Sequence, residues 1–382
     1  MLEYNKIHNL ECMHGMAQMS DESIDCVVTS PPYWKLRDYG TTKWEGGDPN
    51  CDHTMPRSTN RHRPGDKSTT NRGSNPITWQ TCGRCGAKRV DDQIGLEQTP
   101  EEYVAKMVEV FREVRRVLKK EGTLWIVLGD TYASGKGTCY NPGGGKKSLC
   151  KERKQAGVVP LQRGNKSTLA LSKLKPKDLV GIPWRVALAL QQDGWWLRSD
   201  IIWHKTNVLP ESVTDRPTKS HEYIFLLTKS PKYYYNNDAI REKTGNEHDP
   251  EAYEKLKDGD YYDKSRSLTT GRRWKSDIPS RHRRITHPLG RNKRTIWVTS
   301  CGNRTPGHYA TYPEELITPC ILAGCPPGGV VMDPFAGSGT TLVAAKRNGR
   351  QGIGYDLNPD YVKTATKRLN DVPVYKKMGE FT

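Results

Sequence analysis

Apolar and polar positions alternate along the chain in two different periods. Ile24–Thr29 is a short apolar run of strand character that leads into Ser30-Pro31-Pro32-Tyr33-Trp34, a stiff tip closed by two aromatic rings. Residues 99–122 carry helical spacing. Thr99 can cap, Pro100 suits the first turn and Glu102 is placed for a capping box; Tyr103, Met107, Val110, Phe111, Val114 and Leu118 make one apolar face, and Gly122 is the expected stop. Residues 123–130 then read as a buried parallel strand. A helix over 185–192 closed by Gly194 follows, with a strand over 195–205 and an antiparallel neighbour over 220–229. Further on, a helix opens within 308–316 and ends near Gly324, Val330–Asp333 reads as a strand entering a small-residue turn and an apolar helix, residues 352–356 as another strand ending in an acid, and Pro359 begins the last helix. Residues 5–17 predict an edge strand and a short helix.

Between these blocks the periodicity fails, over 38–95, 134–176 and 233–304. The first gap holds the polar, basic run 57–67, the second Gly135, Gly137, Gly143, Gly144 and Gly145 and the basic run 146–154, and the third three basic clusters interleaved with Tyr261, Tyr262, Trp274 and His287. Such segments suit contact with a phosphate backbone and also suit a solvated linker. The third gap is the best candidate for recognising a target, because arginine reads guanine edges and phosphates while aromatic rings stack or wedge.

Composition narrows the partner. With 382 residues the chain can bury a full α/β core, and a formal charge of +17 with a pI near 9.3 argues for a polyanion without saying which. No apolar run is long enough to span a bilayer and the amino terminus lacks signal-peptide character, so a cytoplasmic protein with no membrane partner is expected. The ten cysteines are irregularly spaced except at one place. There Cys51 and His53 precede Cys82 and Cys85, a Cys-x-His and a Cys-x2-Cys pair that can supply four ligands to a structural zinc; reduced thiols or a redox pair are the other readings.

Candidate chemistry lies in the tip and the turns. The two prolines fix φ and remove two donors, so their carbonyls remain rigid acceptors, which suits a substrate bearing an NH2 group; a plain proline turn explains the same residues. After Val330–Asp333, the turn Pro334-Phe335-Ala336-Gly337-Ser338-Gly339-Thr340 gives close backbone approach at Gly337 and Gly339, and the following helix presents free amides. Asp356, at the end of the next strand, completes the layout of a ribose held by a carboxylate. Asp130 either shapes the pocket or caps a helix, and His14 reads as a packing or surface histidine.

Taken together, Ser30-Pro31-Pro32-Tyr33 placed early and Asp333-Pro334-Phe335-Ala336-Gly337-Ser338-Gly339 placed late resemble the S-adenosylmethionine-dependent amino-methyltransferases of DNA, in the permuted (beta-type) group and nearest the N4-cytosine enzymes of restriction-modification systems. The resemblance covers about 5–36, 99–133, 178–230 and 305–370. It implies a Rossmann-like fold with a mostly parallel, doubly wound, seven-stranded sheet and an antiparallel edge hairpin, carrying DNA-binding insertions. It implies Ser30, Pro31, Pro32 and Tyr33 as catalytic residues, and Asp333, Phe335, Ala336, Gly337, Ser338, Gly339, Thr340, Asp356, Pro313 and Glu314 against S-adenosylmethionine. Residues 1–37, 96–133 and 177–232 become the catalytic half, 38–95 an insertion with the zinc knuckle, 134–176 a basic loop, 233–304 the target-recognition region and 305–382 the cofactor half. Trp203, Lys205, Arg216, Ser220 and His221 become candidates for the base pocket or the DNA backbone. The Asp that the family commonly carries where Cys12 or His14 stands is replaced here, which argues against a ligand role for that segment.

The implied partner is double-stranded DNA, with a cognate restriction endonuclease in the same system; monomer and homodimer both stand. Serine at the first motif position leans toward cytosine N4, with adenine N6 as the alternative. A nonenzymatic zinc-containing DNA-binding protein would explain the charge and the cysteines but leave the proline tip unused. Methylation of RNA or of protein amines would use the same cofactor.

Overall fold

The computed structural model describes residues 3–35, 37–38, 43–53, 81–90, 93–133, 159–160, 174–208, 210–243, 287–301 and 312–373. The basic runs 57–67 and 146–154, the aromatic and basic clusters of 261–284 and the segment 308–311 lie outside the described residues.

One sheet organises the rest. Its strands are β1 (Lys6–His8), β2 (Ile24–Thr29), β3 (Leu118–Leu128), β4 (Trp196–Lys205), β5 (His221–Thr228), β6 (Ile296–Thr299), β7 (Val330–Asp333) and β8 (Gln351–Tyr355). Their spatial order is β1-β8-β7-β2-β3-β5-β4-β6. β5 runs antiparallel to both β3 and β4, and every other pairing is parallel. The mostly parallel, Rossmann-like α/β sheet expected from the sequence is present, with eight strands among the described residues instead of seven. The added strand is β6, which pairs with β4 and covers the edge the hairpin was expected to form. Its signal is slight, because only Trp297 of its four residues is buried while Ile296 and Val298 face outward.

Alternation along the strands feeds two helical layers. Val27, Leu124, Phe225 and Met332 point to one face and pack with helices α1 (Cys12–Ala17), α2 (Pro100–Val117) and α3 (Ile182–Gln192). Val28, Trp125, Ile224 and Val331 point to the other, against α4 (Glu314–Gly324) and α5 (Thr340–Arg347). A smaller cluster joins β1, α5 and the last helix, α6 (Pro359–Asn370), through Ile7, Leu342, Val343, Ala365 and Leu369. Strands buried on both faces read as continuous apolar runs, which is why β2, β3 and β7 were visible in the sequence.

The expected capping box of α2 is formed by Thr99 and Glu102, but the helix ends at Val117, before Gly122. Leu118 already pairs with Ile24, and the register then slips so that Thr123 meets Cys26. Strand pairing therefore ends the helix, and Gly122 sits inside β3, where a Cβ would come within 2.9 Å of the Asp25 carbonyl. Helix α3 begins earlier than expected, because Asp130 accepts hydrogen bonds from the Gly181 and Ile182 amides at 3.0 and 3.1 Å. Asp130 is thus a helix cap, the second of its two readings. Among the described residues no helix is long and apolar enough to cross a membrane.

Gly324 marks the tightest crossing of α4 over the sheet, since a Cβ there would lie 2.2 Å from Thr123 Oγ1 and 2.6 Å from Trp125 Nε1. Gly324→Ala should destabilise the fold by about 1–3 kcal/mol through overpacking. A urea unfolding curve checks this, and an unchanged midpoint would mean that the crossing is not close-packed.

Candidate active site

In a parallel sheet, functional groups collect beyond the carboxyl ends of the strands. Here the ends of β8, β7, β2, β3 and β4 share one edge, and the antiparallel β5 brings its amino end to the same place. The Ser30–Tyr33 tip follows β2 and the glycine turn follows its neighbour β7, with Cys26 opposite Val331 and Val27 opposite Met332.

A buried carboxylate joins the two. Asp333, with no exposed surface, accepts from Thr29 Oγ1 (2.6 Å) and the Phe335 amide (3.1 Å) on one oxygen, and from Thr341 Oγ1 (2.6 Å) and the Tyr312 hydroxyl (3.0 Å) on the other. Burial pushes its carboxyl up, and the donors pull in the opposite direction. Its acceptor positions are filled by protein groups, so Asp333 shapes the turn instead of facing a ligand.

The turn is fixed from several sides. The Ala336 amide donates to the Tyr355 carbonyl at 2.9 Å, and Arg368 of α6 reaches the Ser338 carbonyl (2.6 Å), Ser338 Oγ (2.8 Å) and Thr340 Oγ1 (3.2 Å). Gly337 and Gly339 have φ of +51° and +76°, a region that favours glycine. Gly339 has a second reason to lack a side chain: a Cβ would lie 2.9 Å from Ala365 Cβ and 3.1 Å from Ile7 Cδ1. That space is used for packing, and the expected close approach of a ligand narrows to Gly337.

Asp356 sits at the end of β8 beside this turn. One oxygen accepts from the Gly337 amide at 2.9 Å and the other from the Asn358 amide at 2.8 Å. Burial outweighs these two donors and pushes its carboxyl up to about 6, the behaviour of a carboxylate with acceptor capacity left over. Pro313 and Glu314 begin α4, where Glu314 pairs with Arg347 of α5 at 2.6 Å.

Pro31 is buried in the tip, and the Pro32 carbonyl accepts from the Tyr103 hydroxyl at 2.9 Å. Tyr33 donates to Glu222 at 2.7 Å, and Lys205 donates to the other oxygen of Glu222. Burial, then the Glu222 carboxylate, push the Tyr33 phenol well above its usual range, so it stays protonated and donating. This reach across β3 depends on Gly129, where a Cβ would lie 2.5 Å from the Tyr33 ring and 3.1 Å from the Glu222 carboxyl carbon.

Other candidates take different places. Trp203 is buried in the core, with Lys205 4.4 Å from its ring centroid, and so is no pocket contact. Arg216 lies over Tyr132 at 3.7 Å and pairs with Glu211 at 2.6 Å. The Ser220 carbonyl accepts from the Lys205 amide at 2.9 Å. His221, packed edge-on to Tyr223, has its pKa lowered by burial and then by Lys219, so it is a weak proton acceptor. Arg291 and Arg294, from the last basic cluster of the segment 233–304, both pair with Glu242, at 3.1 and 2.9 Å. His14 is exposed.

Cys51, His53, Cys82 and Cys85 come together, their ligand atoms all within 4.8 Å of one another. Thr29, Tyr103, Lys205, Glu222, Tyr312 and Arg368 join the site although the sequence did not assign them to it, apart from Lys205, expected there as a base or backbone contact.

Residues 24–367 match the family N6_N4_Mtase, described as DNA methylase. The chain belongs to this family. It is a DNA methyltransferase that uses S-adenosylmethionine. Among curated relatives, the methylase is 36% identical over 359 residues to Type II methyltransferase M.Cfr9I of Citrobacter freundii, covering 94% of this chain and 85% of that one. It is 36% identical over 351 residues to Type II methyltransferase M.SmaI of Serratia marcescens, covering 92% and 86%. A putative DNA modification methylase of Thermus thermophilus, TTHA0409, solved in complex with S-adenosyl-L-methionine, is similar at 20% identity with a TM-score of 0.47, over 97% of each chain.

Asp333→Asn keeps the size of the buried group but turns an amide toward hydroxyls that donate. The variant should lose about 1–3 kcal/mol of stability and bind S-adenosylmethionine more weakly. Urea unfolding and titration calorimetry read both effects; unchanged values would remove Asp333 as the joint between tip and turn.

Proposed function

We propose that this methylase transfers a methyl group to the exocyclic N4 amine of a cytosine flipped out of duplex DNA, within a specific sequence. The reading makes it a permuted amino-methyltransferase with a Ser-Pro-Pro-Tyr reaction site. The supporting observation is the hydrogen bond from Thr29 to Asp333, which joins the tip to the glycine turn across 304 positions of chain.

When bound, S-adenosylmethionine supplies a sulfonium methyl group open to attack by a nitrogen lone pair. The residues present fit it: Asp356 has acceptor capacity for ribose hydroxyls, Gly337 offers backbone approach, and Phe335, Ala336, Ser338, Gly339 and Thr340 give the turn its shape, fixed by Asp333. Pro313 and Glu314 border the same region from the start of α4.

A base inside duplex DNA is out of reach, so the target leaves the stack, and the Tyr33 ring offers a face that offsets the lost stacking. Ser30 Oγ, which also hydrogen-bonds to the Tyr33 phenol, and the Pro31 carbonyl are the acceptor pair for the amine protons in this reading, while the Pro32 carbonyl accepts from Tyr103. Holding both protons there turns the nitrogen lone pair out of conjugation with the ring, and positioning does the rest. The methylated amine then releases one proton. Glu222 and Lys205 fix Tyr33 as positioning residues.

Methylation of cytosine C5 would need a cysteine nucleophile. Cys320, of the chain's one Pro-Cys pair, is buried in α4, where burial pushes its thiol well up, away from nucleophilic use. Ser30 favours cytosine N4 over adenine N6. Residues 1–37, 96–133 and 177–232 serve as the catalytic half, 305–382 as the cofactor half, and 38–95 and 134–176 as insertions. The target-recognition region of 233–304 stops short of β6, which belongs to the sheet. The same reading places its work in the cytoplasm beside a cognate restriction endonuclease, as the family resemblance implies.

Incubation with sequence-diverse duplex DNA and labelled S-adenosylmethionine, followed by nucleoside mass analysis, should yield N4-methylcytosine. N6-methyladenine would overturn the choice of base, and no transfer by a chain that binds cofactor would overturn the substrate. Ser30→Ala and Tyr33→Ala should each lower kcat/KM by on the order of 10²-fold with cofactor affinity kept, and Gly337→Asp should weaken the cofactor itself.

Asp356 sets a pH dependence. Its carboxyl is raised to about 6, so the ionised form that best accepts ribose hydroxyls is present above that value and lost as pH falls through it. Cofactor affinity measured by calorimetry should therefore decline below pH about 6. Asp356→Asn should bind about 10- to 100-fold more weakly at neutral pH and show little of this decline. A wild-type profile flat through that window would exclude Asp356 as the ribose carboxylate.

A further inference from the structure

The insertion after the tip runs out after Lys35 and comes back to the tip at Gly95, whose carbonyl accepts from the Lys35 amide. Within it, residues Lys43–Glu45 and Lys88–Val90 pair as a short antiparallel ribbon. Beyond the ribbon stand Cys51 and His53 on one side and Cys82 and Cys85 on the other.

Distances among these four side chains discriminate between a metal and its alternatives. Cys51 Sγ and Cys82 Sγ are 3.9 Å apart, and Cys85 Sγ lies 3.5 Å from His53 Nδ1. A disulfide requires a sulfur separation of about 2.05 Å. Around a tetrahedral zinc, with bonds of about 2.3 Å to sulfur and 2.0–2.1 Å to nitrogen, neighbouring ligand atoms stand roughly 3.8 Å (S to S) and 3.6 Å (S to N) apart. Both observed separations fall on the edges of that tetrahedron.

The surroundings serve the same geometry. The Cys82 amide donates to the Ala87 carbonyl at 2.7 Å and the Gly86 amide to the Cys82 carbonyl at 2.9 Å, with Gly86 at φ +76°, so the Cys-x2-Cys turn is wound into a knuckle. The His53 ring stacks on Trp44 with centroids 4.7 Å apart, which fixes its plane. Gly47 leaves room for a ligand, since a Cβ there would lie 2.8 Å from Cys85 Sγ.

We propose that Cys51, His53, Cys82 and Cys85 bind one zinc ion through three thiolates and an imidazole nitrogen, and that this ion braces the Ser30–Tyr33 tip. Binding releases the three thiol protons to solvent and involves no change of oxidation state. The bracing runs through the returning chain. The Lys35 amide donates to the Gly95 carbonyl at 2.7 Å, and the Trp34 indole donates to the Glu97 carbonyl at 3.0 Å. At Gly95 (φ +101°) a Cβ would lie 3.2 Å from the Tyr33 carbonyl and 3.3 Å from Pro32 Cβ. The metal joins the two strands at the loop end of a ribbon too small for a core of its own, and the segment leaving the ribbon forms the back wall of the tip.

Elemental analysis of the purified full chain, after zinc reconstitution and gel filtration, should find one zinc per chain. Cobalt substitution should give the sulfur-to-metal charge-transfer bands and visible absorption of a tetrahedral, thiolate-rich site. Cys82→Ser and Cys85→Ser should lose the metal and at least about tenfold of methyl transfer, while cofactor affinity stays within about twofold because the glycine turn lies elsewhere. Wild-type chain stripped with phenanthroline and reloaded with zinc should lose and regain transfer, which separates the metal from any folding defect of the variants. Substoichiometric zinc or an octahedral cobalt spectrum would overturn the site. Full transfer by stripped chain that still binds cofactor would overturn the bracing while leaving the proposed methyl transfer intact.

Discussion

The site depends on one buried carboxylate and its four donors. Asp333 draws on Thr29 at the end of the tip strand, on Phe335 in the glycine turn, on Thr341 in the following helix and on Tyr312 before α4. Each donor belongs to a different part of the chain. A buried acid is costly unless its lone pairs are filled, so the fold can close around Asp333 only when all four segments are in place. Completion of the core and assembly of the site are in this sense one event.

Much of the architecture was legible because it follows from local pattern. Strands β2 and β7 are short, mostly apolar runs, helix α2 announces its start with Thr99, Pro100 and Glu102, and the turns after β2 and β7 carry residues with little other use in that combination. Where the reading missed, a longer-range contact overrode a local signal. Helix α2 ends at Val117 because Leu118 finds Ile24 across the sheet, although Gly122 is the stronger local stop. Strand β6 escaped notice because it offers one buried ring in four residues and follows a basic run.

The supporting residues were hidden for a related reason. Glu222 reaches the site because β5 is antiparallel, so its amino end lies level with the carboxyl ends of its neighbours. Arg368 acts thirty positions away from Ser338, from a helix whose charged residues otherwise look like a solvated face. Neither role exists before the sheet order is known. The glycine turn shows the converse, since Gly339 was read as an opening for a ligand and is filled by Ala365 and Ile7.

The link from Tyr33 through Glu222 to Lys205 has a consequence for the cost of recognition. With its hydroxyl held and its ring passing over Gly129, Tyr33 has given up its rotamer freedom during folding. Fixing such a side chain at the moment of binding costs about 0.5–1.5 kcal/mol. A flat ligand arriving at this ring meets a surface already in place, and the entropy of ordering it is charged to the stability of the protein instead of to the encounter.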